Sequence, residues 1–230
     1  MRLLPILLVA GCATADGEPR PTASSGPLVL ELFTSQGCSS CPPADRLLSR
    51  LVKKGDHVAP LSFHVDYWND LGWADPYSLP AWTARQQSYA RALGDNRVYT
   101  PELVIGGAAG VVGSQESAVS RAIANAARPA LLAATARWSG DAVEVKATAP
   151  ADADVFVAVW EETTHTNVLR GENAGSMLDS DRVVRRFERV AAAGHEGSVT
   201  VKVDPRWNSG AVAFAQRADK KIVASALLPR

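Results

Sequence analysis

Residues 28–45 read LVLELFTSQGCSSCPPAD, in which an apolar run is followed by two cysteines three positions apart. The run LVLELF (28–33) predicts a buried strand, and the segment from Pro42 onward, PPADRLLSRLVKKG, carries apolar residues at helical spacing. Two lysines in the last turn of that segment and a stop at Gly55 are typical of the end of a helix. The stretch therefore predicts a strand, a cysteine-containing turn and a helix, in that order.

The two cysteines of this turn, Cys38 and Cys41, can form a redox pair, half of a metal site or an inert structural disulfide. The thiolate is the reactive form of cysteine, and the N–H groups and dipole at the start of a helix stabilise its charge. We expect Cys38 to face solvent as the attacking sulfur and Cys41 to act as the resolving sulfur. Zinc needs two more ligands, and the sequence has no second cysteine pair or close histidine pair. The pattern favours a redox pair.

Strand and helix patterns alternate up to about residue 129. VAPLSFHVDYW (58–68) and RVYTPELVIGG (97–107) are typical of strands, and AWTARQQSYARALG (81–94) and SQESAVSRAIANAAR (114–128) are typical of helices. Such alternation favours an α/β fold, in which a mixed sheet has helices on its faces.

Beyond about residue 130 the pattern changes to short apolar or alternating runs separated by Gly, Asp, Asn or Pro. Runs of this kind without helical periodicity predict a small antiparallel sandwich. We therefore place a domain boundary near residue 130. The predicted strands lie within 131–139, 142–149, 154–162, 182–190, 198–204, 210–217 and 221–228.

The N-terminal segment has the features of an export signal. Residues 1–11 carry one positive charge and an apolar core too short to span a bilayer, which predicts a signal peptide. The sequence VAGC ending at Cys12 resembles a bacterial lipobox, and this resemblance implies lipidation of Cys12, a flexible tether over 12–26 and a location on the periplasmic side of a bacterial membrane. Simple secretion, with cleavage after Ala15, is the alternative. Either outcome leaves one cysteine pair in a compartment where disulfides persist.

The composition is that of an ordinary globular protein, with 47% hydrophobic residues. The 24 basic and 24 acidic residues balance to a formal net charge of zero, and no basic run is present. Nucleic acid is therefore set aside as a partner. The expected partners are proteins or small molecules bearing thiols or disulfides, together with a redox partner, and contact with a membrane is expected only through the lipid anchor.

VLELFTSQGCSSCPP resembles the active-site segment of thioredoxin and glutaredoxin relatives, and RVYTPELVIGG resembles their cis-proline segment. The resemblance implies a thioredoxin-like domain over 27–129, followed by a smaller β-rich, sandwich-like domain over 130–230. It also implies a cis bond before Pro101 and a substrate groove lined by Thr100, whose backbone would pair with an extended substrate. The alternative is a trans proline that begins an edge strand.

A closer resemblance rests on ELFTSQGCSSCPPAD, HVDYWNDLGWADP, YTPELVIGG and RGENAGSMLDSDRVVR together. These segments are similar to a family of exported proteins of uncharacterised function that join a thioredoxin-like domain to a β-rich region. The resemblance implies fold and location and requires no organic cofactor or metal. In the cis-proline segment and the loop after the second strand, Tyr99 and Trp68 are further candidates for substrate contact.

Two titratable groups are also candidates. Glu31, inside LVLELF, would take the proton of Cys41 if its strand is central and its carboxylate lies below the cysteines; on a solvated face it would do nothing. His64 would stabilise the Cys38 thiolate or act as a third ligand to Cu(I) held by the two sulfurs. The alternative for His64 is a hydrogen bond inside the sheet, beside aromatic residues that cap the core.

The segment Asn167–Gly175, NVLRGENAG, has an unusual content for a loop in the β-rich half. Its glycines and asparagines suit turns with positive φ. The alternative is that it folds over the cysteine site and helps to select a partner.

The leading hypothesis is an exported thiol-disulfide oxidoreductase with Cys38 as nucleophile, Cys41 as resolver and Pro101 in the groove. The first alternative is a Cu(I) carrier that uses Cys38, Cys41 and His64. The second is a non-enzymatic envelope protein whose disulfide is structural.

Overall fold

The computed structural model describes residues 25–55, 57–95 and 97–230. The predicted signal peptide, the predicted lipidation site at Cys12 and all but the last two residues of the predicted tether lie outside these ranges. Within the part of the chain that is described, none of the helices is both long enough and apolar enough to cross a bilayer.

The protein has a mixed α/β fold, with three helices and twelve strands among the described residues. In chain order these elements are β1 Leu28–Thr34, α1 Pro42–Lys54, β2 Val58–His64, α2 Pro80–Leu93, β3 Glu102–Ile105, β4 Ala109–Val112, α3 Glu116–Asn125, β5 Ala130–Leu131, β6 Ala134–Ser139, β7 Ala142–Thr148, β8 Asp154–Asn167, β9 Met177–Ala191, β10 Glu196–Lys202, β11 Ser209–Gln216 and β12 Ile222–Leu228.

Nine strands form one sheet in the order β4-β3-β1-β2-β9-β8-β11-β12-β5, and β10, β7 and β6 form a second, three-stranded sheet. In the large sheet β1 runs parallel to β2 and antiparallel to β3, which continues antiparallel into β4. The predicted alternation of strands and helices over the first half of the chain is confirmed.

Strand β1 is buried along its whole length because helices cover both faces of the sheet around it. Leu30 and Leu32 belong to a core that includes residues of α1 and α3, whereas Val29 and Phe33 belong to a core that includes residues of α2. A strand enclosed in this way has no solvated face, which explains why LVLELF is nearly continuous in its apolar character.

Helix α1 is bounded by the signals that the sequence contains. It begins with two prolines, whose missing N–H groups are not needed in the first turn, and it ends at Gly55 in the left-handed conformation with φ of 69°. Cys41 is the N-cap residue, so Cys38 lies three residues before the cap, in the turn that leads from β1. The predicted order of strand, cysteine turn and helix is confirmed.

The seven predicted strands after residue 130 are all present; three of them, β6, β7 and β10, form the second sheet, but the other four do not form a sheet apart from the first half of the chain. Strands β8, β9, β11, β12 and β5 extend the sheet that contains β1, and β9 meets β2 in parallel at Ser62 and Val183. Phe63, from the first half of the chain, and Phe214, from the second half, belong to one hydrophobic core. The small second sheet packs on this extension, with Val143 and Val145 in one core with strands β8 and β11. The division at residue 130 into independent folding units stays a prediction.

A buried ion pair ties α2 to the centre of the large sheet. Arg85 donates from Nε to Glu31 Oε2 at 2.5 Å and from Nη2 to Glu31 Oε1 at 2.9 Å, and the Tyr89 hydroxyl also donates to Glu31. The guanidinium lies 4.4 Å from the ring centroid of Phe187 in β9. Burial opposes the charge of Arg85, but the Glu31 carboxylate outweighs that penalty and raises the pKa of Arg85.

Removing one member of this pair leaves the other charge buried without its partner. We expect Glu31→Leu to lower the free energy of unfolding by about 3 to 5 kcal/mol. The double variant Glu31→Leu with Arg85→Met should lose less than either single variant, because both charges are then absent. Urea unfolding of the three variants measures this, and a double variant as unstable as the sum of the singles would contradict the prediction.

Candidate functional site

The cysteine turn, residues 35–41, joins the end of β1 to α1 and holds a disulfide between Cys38 and Cys41, whose Cα atoms are 5.5 Å apart. Both cysteines are completely buried, so the expectation that Cys38 faces solvent is wrong. Ser40 and Thr100 contribute to the cover, since Ser40 Oγ lies 3.2 Å and the Thr100 carbonyl oxygen 3.9 Å from Cys38 Sγ.

Three of the predicted substrate-groove residues lie together beside this turn. The Thr100–Pro101 bond is cis, as the resemblance to the cis-proline segment implies. Trp68 Nε1 donates to Thr100 Oγ1 at 2.9 Å. Trp68 also packs on Gly37, where a Cβ atom would lie 3.1 Å from the Trp68 Cβ. Tyr99 is held differently, because its carbonyl accepts a hydrogen bond from Gln86 Nε2 at 2.7 Å.

Gln36 connects the turn to two distant parts of the chain, the loop after β2 and strand β8. Its backbone N–H donates to Asp75 Oδ2 at 2.8 Å, and its side-chain amide donates to Thr166 Oγ1 at 2.9 Å. Trp73 Nε1 donates to the Gln36 side-chain oxygen at 3.2 Å. Sequence reasoning did not single out Gln36, because its partners lie far away along the chain.

The β8–β9 loop, residues 168–176, folds over the cysteine turn, which is the alternative that the sequence left open for NVLRGENAG. The buried Asn173 donates from Nδ2 to the carbonyl oxygens of Gln36 at 2.9 Å and Cys38 at 3.0 Å. The backbone N–H of Ser39 donates to Glu172 Oε2 at 2.9 Å. This hydrogen bond from Ser39 lowers the pKa of the exposed Glu172 carboxyl.

His64 and Asp75 form a buried pair. His64 is the last residue of β2, and Asp75 lies in the loop that follows β2. His64 Nδ1 is 2.7 Å from Asp75 Oδ2, which also receives the Gln36 N–H. Burial acts to lower the pKa of His64, but the Asp75 carboxylate outweighs it and raises that pKa. Burial acts to raise the pKa of Asp75, and the same contact with His64 reverses the shift and lowers it. The hydrogen-bonding alternative for His64 is thus what the structure contains.

A second acid, Asp45, lies in α1 one turn after Cys41, and its backbone N–H donates to the Cys41 carbonyl at 3.1 Å. Within the described part of the chain, its buried Oδ1 atom has no hydrogen-bond partner, and the same holds for His64 Nε2, Thr34 Oγ1 and Ser62 Oγ. Burial raises the pKa of Asp45 to about 6. Asp45 also lines a surface cleft of about 570 Å³ between α1 and strands β8 and β9.

Glu31 does not occupy the position that the sequence suggested. Side chains alternate between the faces of a strand, so Glu31 shares a face with Val29 and Phe33, toward α2, whereas α1 packs on the other face. Its carboxylate is bound by Arg85 and is separated from Cys41 by the sheet. The geometry therefore does not support the predicted proton transfer between Glu31 and Cys41; the acids near the cysteine turn are Asp45 and Asp75.

The sequence contains a feature that places Asp45 near Cys41. Asp45 follows Cys41 by four residues, and residues four apart lie on the same side of a helix. It is also the last residue of the motif CSSCPPAD.

The metal-binding alternative lacks a third ligand in this arrangement. Across 25–55, 57–95 and 97–230, no three His, Cys, Asp or Glu side chains are grouped so that they could hold a metal ion. His64 is therefore not placed with Cys38 and Cys41 as a copper ligand set.

This fold has counterparts among known proteins. The family model described as "Protein of unknown function (DUF1223)" matches residues 29–216, so the chain belongs to the DUF1223 family. The structure of protein AGR_C_4864 from Agrobacterium tumefaciens is 30% identical in sequence, with a TM-score of 0.70 over 90% of this chain and 96% of that one. HBP35 of Porphyromonas gingivalis shares the fold at 12% identity, with a TM-score of 0.60 over 91% of this chain and 76% of that one. A comparison with curated proteins gives no match.

The raised pKa of Asp45 predicts how stability depends on pH. The folded protein keeps this proton up to about pH 6, whereas the unfolded chain loses it near 3.8, so the stability that the protonated acid contributes is lost as pH rises from about 4 to 6. Asp45→Asn resembles the protonated acid at every pH. We expect this variant to match the wild type near pH 4 and to be more stable by about 1 to 3 kcal/mol above pH 6.

Urea unfolding at several values between pH 4 and 7.5 measures this difference. The matched control is Asp70→Asn, which removes an exposed carboxylate from the loop after β2. A stability difference between Asp45→Asn and wild type that stays constant across the range would contradict the assignment.

Proposed function

We propose that this protein is an exported thiol-disulfide oxidoreductase whose N-terminal half is thioredoxin-like. The observation that carries the proposal is the Cys38–Cys41 disulfide at the start of α1, with the Thr100 carbonyl oxygen 3.9 Å from Cys38 Sγ. The strand order β4-β3-β1-β2, with α1 following β1 directly, supports the thioredoxin-like assignment. Substrates are proteins or small molecules that carry a thiol or a disulfide.

In the reducing direction, the Cys38 thiolate attacks one sulfur of a substrate disulfide. A bond forms between Cys38 and that sulfur as the substrate S–S bond breaks, and the departing thiolate takes up a proton. Cys41 then loses its proton and attacks Cys38 Sγ, so that the Cys38–Cys41 bond forms and the second substrate sulfur leaves and is protonated. Two electrons have passed to the substrate, and a dithiol partner returns two electrons and two protons. The reverse sequence oxidises a substrate dithiol.

Asp45 is the proton acceptor for Cys41 in this proposal. Asp45 lies one helical turn after Cys41, has a buried oxygen with no hydrogen-bond partner among the described residues, and lines a surface cleft. A carboxyl with a pKa of about 6 can both accept and release a proton near neutral pH.

The burial of both cysteines favours a second candidate, an envelope protein in which this disulfide is purely structural. A structural disulfide resists glutathione, with a potential below about −300 mV, whereas catalytic exchange proteins lie between about −270 and −120 mV. The two candidates therefore differ in a measurable equilibrium.

The deciding experiment equilibrates the full chain, with Cys12→Ser so that only one pair is counted, in graded glutathione buffers and tags free thiols by mass. We expect a mid-range potential, loss of reduction of a model protein disulfide in Cys38→Ser, and a trapped mixed disulfide in Cys41→Ser. A disulfide that stays closed in every buffer, with Cys38→Ser as active as its parent, would refute the proposal and leave the structural candidate.

The export part of the proposal rests on residues outside the described ranges. The protein is anchored by lipid at Cys12 on the periplasmic side of the membrane. Radiolabelled palmitate should enter the wild type and not Cys12→Ser when both are expressed in a bacterial host. Equal labelling of the two proteins, or no labelling of either, would contradict lipidation at Cys12 and leave simple secretion or retention as the alternatives.

A further inference from the structure

The contact between Glu172 and Ser39 places a carboxylate at the turn where the reduced protein would hold a thiolate. Ser39 lies between the two cysteines, and its N–H belongs to the backbone that leads into α1. Amide groups at the start of a helix stabilise negative charge. In this structure the Ser39 amide is already engaged by Glu172 Oε2 at 2.9 Å.

The β8–β9 loop holds Glu172 in this position by several independent contacts. Its neck is closed by two backbone hydrogen bonds between Val168 and the segment 175–176. Gly171 approaches Trp73 so closely that a Cβ atom at Gly171 would lie 3.0 Å from the Trp73 Cβ. Asn173, next to Glu172, is buried and bound to the carbonyl oxygens of the turn.

From this geometry we infer that Glu172 is a positioning residue that sets the redox equilibrium of the cysteine pair in favour of the disulfide. The equilibrium is protein disulfide plus two glutathione thiols giving protein dithiol plus glutathione disulfide, with two electrons and two protons transferred. The Glu172 charge is present in both states, but only the reduced state adds a second negative charge beside it when Cys38 ionises. Repulsion between these charges, and competition for the Ser39 N–H, disfavour the reduced state.

The other two carboxyl groups near the turn, Asp75 and Asp45, do not cancel this effect. Asp75 accepts a hydrogen bond from the Gln36 N–H of the turn, and its charge is balanced by His64, whose Nδ1 atom lies 2.7 Å from Asp75 Oδ2. Asp45 approaches from α1 and adds further negative charge above pH 6. Glu172 is the charged group that the β8–β9 loop presents directly to an amide between the cysteines.

The inference rests on the proposed function, because it matters only if Cys38 and Cys41 alternate between disulfide and dithiol. It then bears on the direction of electron flow: a pair that favours its disulfide is a better reductant of its partners. The loop contributed by the second half of the chain thus tunes the chemistry of the first half.

The test is Glu172→Gln, which keeps an oxygen that can accept the Ser39 N–H and removes the charge. In graded glutathione buffers at pH 7, with the full chain carrying Cys12→Ser, we expect the equilibrium constant to shift about tenfold toward the dithiol, equal to about 30 mV. The pH midpoint for alkylation of Cys38 should fall as well. Glu172→Lys should shift both quantities further in the same direction, which provides a second variant if one fails to fold.

The matched control is Glu188→Gln, which removes an exposed carboxylate of β9 and changes the net charge equally. A Glu172→Gln equilibrium within twofold of its parent, or a shift that Glu188→Gln reproduces, would overturn the inference while leaving the proposed function intact. A pair that cannot be reduced in any of these proteins is a different result, which refutes the proposed function itself.

Discussion

The backbone of a buried turn must find hydrogen-bond partners without help from bulk water, and the site is arranged around that requirement. In the cysteine turn, the buried amide of Gln36 is bound by Asp75 and that of Gly37 by the Ser35 side chain, and the amide of the exposed Ser39 is bound by Glu172. The side-chain amide of Asn173 donates hydrogen bonds to two of the turn's carbonyl oxygens, those of Gln36 and Cys38. With these partners in place, the disulfide can lie at full burial between β1 and α1.

These partners come from positions far apart in the chain, so the site depends on the complete fold. Asp75 is 39 residues from Gln36, and Asn173 is 137 residues from it. The long strands β8 and β9 bring the loop to the turn because β9 joins the large sheet next to β2. The family match over residues 29–216 likewise includes both halves of the chain.

The two faces of β1 divide the buried charges between separate tasks. On the α2 face, Glu31 is paired with Arg85 and stabilises the packing of the helix against the sheet. On the α1 face, Asp45 and the pair of His64 and Asp75 lie near the cysteine turn, and Asp45 Oδ1 and His64 Nε2 have no hydrogen-bond partner within the ranges that the structure describes. A one-residue change of register would exchange these faces, so alternation along the strand decides which acid lies on the side of the cysteines.

The sequence by itself determined the local elements. LVLELF, the two prolines and Gly55 specify a strand, a turn and a helix through short-range preferences, and the runs beyond residue 130 specify strands in the same way. Cys38, Cys41 and Pro101 were identified because their motifs are contiguous. Only the tertiary structure decided that the β-rich half continues the first sheet, that Cys38 is covered, and that Asp45, Gln36 and Glu172 surround the pair. The physical reason is that strand order, burial and long-range hydrogen bonds depend on which surfaces meet in space, and no local pattern records that.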